Sequence, residues 1–106
     1  MTVENMTNNN TGREIPNQFI IHNVTKELSF TEDNKEIHDI FTGTMFQSYK
    51  SNIVFKSSGK IFLDFYYWDY SVTTSKYRNQ FLRETKKETE KKISSGIYIL
   101  TDLNKE

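Results

Sequence analysis

The sequence predicts an α+β domain in which a small antiparallel sheet, made of a hairpin and a C-terminal strand, packs against one or two helices. Three observations predict it. Residues 52–65 read as two apolar strands about Ser57-Ser58-Gly59. Tyr77, Phe81, Thr85, Thr89 and Ile93 recur every four residues. Ile97, Ile99 and Leu103 alternate with Tyr98, Leu100 and Asp102.

Taken in chain order, residues 1–17 read as a disordered tail, because four apolar residues in seventeen cannot offset the entropy of ordering them. The remainder, 18–106, reads as a single domain, with no internal repeat and no linker. Phe19 to Val24 is β-branched and aromatic, a strand, with Leu28 and Phe30 in its hairpin partner. Thr31 reads as a helix N-cap with Glu32 and Asp33 in the first turn; Ile37, Ile40 and Phe41 then form one apolar stripe, and Gly43 stops a helix over 32–42. In the next hairpin, a three-residue connection with glycine in the left-handed position joins a strand carrying Ile53 and Phe55 on one face to a strand carrying Ile61, Leu63 and Phe65. The helical region 75–94 is either continuous or broken near Arg83–Thr85. Thr85-Lys86-Lys87-Glu88 has the form of a capping box, which favours the break, and Gly96 suits the residue after the last turn.

Composition bounds the function. The chain has 106 residues, 14 Lys+Arg against 14 Asp+Glu, and no Cys. Zero net charge argues against a generic polyanion binder, and the lack of Cys excludes disulfides and thiolate metal sites. The only histidines, His22 and His38, are too few for a His-based zinc site without carboxylates. No apolar run approaches the ~18 residues of a membrane span, and no signal-peptide core is seen, so a cytoplasmic setting without membrane contact is expected. Ala is absent while Asn, Thr, Lys, Ile, Phe and Tyr are abundant, a usage that favours AT-rich codons.

The segment from Tyr67 to Leu82 is distinctive. Its core, Tyr70-Ser71-Val72-Thr73-Thr74, is followed by Lys76 and Phe81-Leu82 and preceded by Ser48-Tyr49 and the hairpin. Over about residues 46–104 this pattern resembles a small domain of unknown function that recurs in phages and prophages of low-GC Gram-positive bacteria. The resemblance implies an origin and no mechanism. Small phage proteins of this size often modulate a host enzyme or defeat a defence system.

Three groups of residues are candidates for function. Ser71, Thr73 and Thr74 precede a helix beside Lys76, which suits an anion; the plainer reading is that one caps the helix while the others hold the turn. The rings of 65–70 cannot all enter one core if the segment is a strand. Tyr66, Trp68 and Tyr70 would then share an outward face, suited to protein anchoring or base stacking, unless Trp68 packs against a helix. Residues 76–92 hold Lys76, Arg78, Arg83, Lys86, Lys87, Lys91 and Lys92 against Glu84, Glu88 and Glu90, while 26–39 is acidic. The basic helix would face phosphates or an acidic protein, or be a solvated face with Glu88 and Lys92 paired. No nucleophile motif, phosphate loop or paired-His motif is present, so no enzyme, cofactor or metal is expected. The expected function is that of a non-enzymatic phage accessory protein, monomer or homodimer. It would inhibit a host protein such as a nucleic-acid enzyme or a defence nuclease, in the manner of an anti-CRISPR protein, whether that protein acts alone or within a nucleoprotein complex. Its contacts would be Tyr66, Trp68, Tyr70, Lys76, Arg78, Arg83, Lys86 and Lys87. The alternative is direct nucleic-acid binding through 76–92.

Overall fold

The computed structural model describes residues 1–105. Its elements are β1 (Thr2–Thr7), β2 (Glu14–Glu32), β3 (Lys35–Ser48), β4 (Ser51–Ser57), β5 (Lys60–Asp64), α1 (Val72–Leu82), α2 (Lys86–Ser94) and β6 (Tyr98–Thr101). All six strands form one sheet in sequential order, antiparallel from β1 to β5, with β6 parallel to β5. At 52% strand and 19% helix, the chain is mostly sheet, which corrects the expected small antiparallel sheet flanked by helices. The parallel edge has a simple cause. The crossover through α1 and α2 returns the chain to the end of the sheet from which β5 started.

Two segments differ from the sequence reading. Residues 1–17 hold β1 and the first turn of chain into β2, rather than a tail. Thr2–Thr7 pairs along β2, and Met6 is buried in the core. Backbone pairing and one buried side chain supply what composition did not promise. Residues 32–42 form no helix. Asp33 and Asn34, both at positive φ, make a two-residue turn, and β2 and β3 run antiparallel from it, Glu32 opposite Lys35. Leu28 and Phe30 therefore continue the strand that begins with Phe19 instead of forming its hairpin partner.

This long hairpin is bent. The pairing Ile21↔Met45 is followed by Val24↔Gly43, so β2 carries one extra residue, with Asn23 at φ 58°. On β3 the bend falls at Gly43, where a Cβ would lie 1.9 Å from the Lys56 carbonyl oxygen. Only glycine permits that approach. The distal half of the hairpin thereby folds over one face of β4, β5 and β6. Leu28, Phe30, Phe55, Phe62, Ile99 and Leu103 pack there with Met45, and Ile37 and Phe41 lie alongside. On the opposite face Phe46, Ile53, Val54, Leu63, Tyr77 and Tyr98 pack beneath the helices with Phe81, Leu82 and Ile93.

The second hairpin lies where the sequence places it, with a tighter turn. Ser58 and Gly59, both at positive φ, connect Ser57 to Lys60. A register shift between β3 and β4 turns Ile53 to the helix side beside Val54, so Ile53 and Phe55 do not share a face. Phe65 lies beyond β5 and is exposed. The helical region is broken. Arg83 ends α1 in the left-handed conformation, and Thr85 caps α2 with both hydrogen bonds of a capping box to Glu88.

Candidate functional site

β5 ends at Asp64, which is fully buried and organises the loop that follows. Its Oδ2 accepts hydrogen bonds from the backbone N–H of Tyr66 (3.1 Å) and Tyr67 (2.9 Å), and its carbonyl accepts one from the Trp68 N–H at 3.0 Å. Its Oδ1 accepts from the Leu103 N–H at 2.8 Å, tying the loop to the chain after β6. The segment 65–70 is thus a rolled turn, not a strand, and the expected alternation of faces does not apply. Asn52 and Asn104 exchange side-chain and backbone hydrogen bonds at the same end of the sheet.

From α1, Arg78 reaches back into the loop. Its Nη1 donates to the Trp68 carbonyl at 2.5 Å and lies 3.4 Å from Asp69 Oδ1. Its Nη2 donates to Asn79 Oδ1 at 2.9 Å, and the guanidinium sits 5.2 Å from the Trp68 ring. The side chain is 0% exposed, which removes Arg78 from the expected contact residues and gives it the role of an internal clamp. Burial lowers its pKa, against the hydrogen bond and charge of Asp69. Trp68 is half-buried and packs against the helix-side core, so one edge of its ring remains at the surface.

The hydroxyl groups expected to bind an anion are engaged internally. Ser71 Oγ caps α1 by accepting from the Thr74 N–H at 3.1 Å. Thr74 is buried, and its Oγ1 is 2.8 Å from Ser48 Oγ. Thr73 alone is exposed. A groove of about 680 Å³ runs past Tyr70, Ser71, Ser75, Lys76 and Lys86, and the Asp69 carboxylate lines it as well. Asp69 accepts from Ser75 Oγ at 2.9 Å and pairs with Lys86 Nζ at 2.7 Å. Burial pushes the Asp69 carboxyl up, and hydrogen bonds from Lys86, Ser75 and Arg78 outweigh it, leaving the group below its ordinary range. An incoming anion would have to displace this carboxylate.

The basic region is likewise divided. Lys92 pairs with Glu84 at 2.7 Å, not with Glu88. Glu84 is nearly buried and also accepts from Thr89 Oγ1 and the Tyr98 hydroxyl, each at 2.6 Å. Burial raises the Glu84 pKa, but these donors bring it below its ordinary value. Burial and the Glu84 carboxylate push the Tyr98 hydroxyl up to about 12. Lys76, Arg83, Lys87 and Lys91 are exposed and form no ion pair among the described residues.

Four polar arrangements have no sequence motif. Asp64 and Glu84 are ordinary acidic residues until the fold buries them. On the outer face of the distal hairpin, His38 lies 2.5 Å from both Ser29 Oγ and Glu27 Oε1, and His22 lies 2.7 Å from Glu4. Reading 32–42 as a helix hides the His38 pairs, and reading 1–17 as a tail hides the His22–Glu4 pair. No group of three or more His, Asp or Glu among the described residues could hold a metal ion.

Part of the apolar surface is gathered at one end of the sheet. Tyr49 follows β3, and the Ser48–Thr74 hydrogen bond holds that turn against the start of α1. Phe65, Tyr66, Tyr70 and Val72 flank the same end, and all five side chains are exposed, Tyr66 at 71%. Adjacent rings touch, with centroids 4.3 Å apart for Phe65–Tyr66 and 5.2 Å for Tyr67–Tyr70. Lys50 and Lys76 are exposed nearby.

Together these features define a mixed-sheet domain with a clamped, aromatic, lysine-edged end. The chain belongs to the family of unknown function DUF8033, which it matches over residues 1–96. The match takes in the N-terminal 45 residues that the resemblance to a small domain of unknown function left out. No curated protein and no solved structure matches the chain. No helix among the described residues is long and apolar enough to cross a membrane.

Proposed function

We propose that the protein is a non-enzymatic binding protein that docks on another protein through its aromatic end. The observation that carries this reading is the gathering of Tyr49, Phe65, Tyr66, Tyr70 and Val72, five exposed apolar side chains, on loops held by buried hydrogen bonds. Exposed apolar side chains gathered in this way mark interaction sites, and Tyr side chains on a fixed backbone lose little entropy on docking. Lys50 and Lys76 favour a partner whose rim is acidic. The compositional bias and the resemblance to small phage domains extend the proposal. The partner is a cytoplasmic host protein, a nucleic-acid enzyme or defence nuclease, which the bound domain inhibits as an anti-CRISPR protein does.

Affinity capture from a low-GC bacterial lysate, with and without nuclease, tests it. A stoichiometric protein that survives nuclease and is lost with Tyr66→Ala/Tyr70→Ala supports the reading. Retention by that variant overturns it. One observation favours a second reading. Arg83, Lys87 and Lys91 are exposed and form no ion pair among the described residues, on and beside α2, a surface suited to nucleic-acid phosphates. Under that reading mixed nucleic acid is recovered, and binding falls steeply with salt and with Lys87→Gln/Lys91→Gln.

A further inference from the structure

A groove of about 630 Å³ lies beside the last turn of α1, on the helix side of the sheet. Clefts of roughly 300–1,000 Å³ are the usual size of small-molecule sites. Met6, Ile20 and Phe81 form its apolar floor, and all three pack in the helix-side core. Gln80 Nε2 donates to the Thr7 carbonyl at 2.8 Å, which ties β1 to the helix along one wall. The charge of the lining is one-sided. Lys56, Arg83 and His22 line the groove, and no Asp or Glu does.

Lys56 is half-buried, and its Nζ donates to the Phe81 carbonyl at 3.1 Å and lies 4.3 Å from the centre of the Phe81 ring. An ammonium has three donors, and among the described residues this is the one in use. Neither Lys56 nor the exposed Arg83 forms an ion pair among the described residues. Burial, and the charge of Arg83 after it, lower the Lys56 pKa, so the two cations are near enough to repel. The neighbouring acids are partnered already. Glu84 holds Lys92, and Glu4 holds His22, each at 2.7 Å.

We propose that this groove binds a small organic anion, with its acidic head between Lys56 and Arg83 and its apolar body over Met6, Ile20 and Phe81. Charge-assisted hydrogen bonds would engage the free donors and relieve the repulsion of the two cations, while burial of the body adds affinity. A second copy of the chain is a poor occupant. Its acidic turn, Thr31-Glu32-Asp33-Asn34-Lys35-Glu36, offers no apolar side chain to the floor and would bring a lysine to the two cations. The proposal does not depend on the aromatic end, and it shares only Arg83 with the nucleic-acid reading.

Octanoate and octyl phosphate are the probes, with octanol as the neutral control. Each is titrated into the isotope-labelled full chain and followed by amide chemical shifts. Saturable shifts at Met6, Ile20, Lys56 and Phe81 are expected with either anion, the tighter one naming the head group, and octanol should bind about tenfold more weakly or worse. Lys56→Met, which keeps an apolar stem beside Phe81, should weaken both anions about tenfold. Arg83→Gln, at an exposed position, should weaken them about threefold to tenfold with the melting temperature unchanged. Lys87→Gln/Lys91→Gln should leave them alone. The proposal is overturned by the lack of saturable shifts, by octanol binding as tightly as the anions, or by shifts that fall on 65–72 or 86–95 instead. Unchanged affinity in both Lys56→Met and Arg83→Gln overturns it too, as does movement of the same amides on dilution of the free chain, the sign of a second copy in the groove.

Discussion

The helix-covered and hairpin-covered faces of the central sheet both bury aliphatic and aromatic side chains, but among the described residues only the helix side buries a cation, while the buried Asp64 accepts from the Leu103 N–H beside the hairpin-side cluster. Beneath the distal hairpin, Phe30, Phe41 and Phe62 meet with ring centroids 5.0 to 5.9 Å apart, and no ionisable group joins that cluster. On the helix side Arg78 is fully buried, and Glu84 is nearly so, with Lys92, Thr89 and Tyr98 around it. The difference teaches how the two sides are specified. Apolar packing tolerates many arrangements of similar volume, whereas a buried guanidinium must find particular acceptors. The polar side is the one that fixes a loop, and that loop carries the aromatic end.

The comparison yields predictions of decreasing size. Phe62→Ala should destabilise the fold by about 4 kcal/mol, the usual range for emptying a ring from a packed core. Trp68, the sole tryptophan and distant in role from that cluster, should keep its emission maximum in the native baseline. Equilibrium urea unfolding followed by fluorescence reads both. A loss under about 1 kcal/mol would mean that the hairpin does not close over the sheet as described. Arg78→Ala should lower stability by about 3 kcal/mol, because it empties a fully buried site, leaves the Trp68 carbonyl without its donor and leaves Asp69 with Lys86 as its one cation among the described residues. Here the native emission of Trp68 should move to longer wavelength. An unshifted spectrum would show that the loop is held without the clamp.

Titration should separate the faces next. Asp69 and Glu84 have pKa values below their ordinary 3.8 and 4.5, so the stability they confer is full above those values and is lost as pH falls through the lower, folded ones. Tyr98 is raised from 10.0 to about 12, so its contribution is full below 10 and is lost as pH rises toward 12. Melting temperature against pH should therefore fall on both sides, and Glu84→Gln should flatten the acid limb. Identical profiles for Glu84→Gln and the parent would detach the effect from this cluster. Smallest is the cap of α2. Thr85→Ala should destabilise by about 1 kcal/mol, seen as a melting shift of a few degrees, since it removes the hydroxyl that accepts from the Glu88 N–H.

The parts of the fold legible in the sequence are those whose signals are local. The capping box at Thr85–Glu88 and the left-handed Arg83 before it divide α1 from α2 within a few residues. The hairpin about Ser58-Gly59 follows from turn chemistry between apolar strands. The stretch 32–42 was misread because a spacing of four serves both periods. Ile37 and Phe41 lie four apart, which is one face of a helix and also one face of a strand. Ile40 decides between them. In the strand it turns to solvent, 65% exposed, opposite Glu27. Glu32 and Asp33 suit the first turn of a helix, but Asp33 and Asn34, two residues that tolerate positive φ, also make a hairpin turn.

For the candidate site, the amino-acid sequence by itself determined that Tyr66, Trp68 and Tyr70 fall between an apolar strand and a helix preceded by several hydroxyl residues, one of which caps it. It determined too that the lysines cluster on the second helix. Only the tertiary structure decided which of these residues are free. It buried Arg78 and Thr74, gave Lys86 to Asp69 and Lys92 to Glu84, left Tyr66 and Tyr70 at the surface, and set β6 parallel to β5. The physical reason is range. Caps, turns and breaks are settled by neighbours in the chain, whereas the pairing of a strand, the burial of a charge and the partner of a lysine depend on groups tens of residues away.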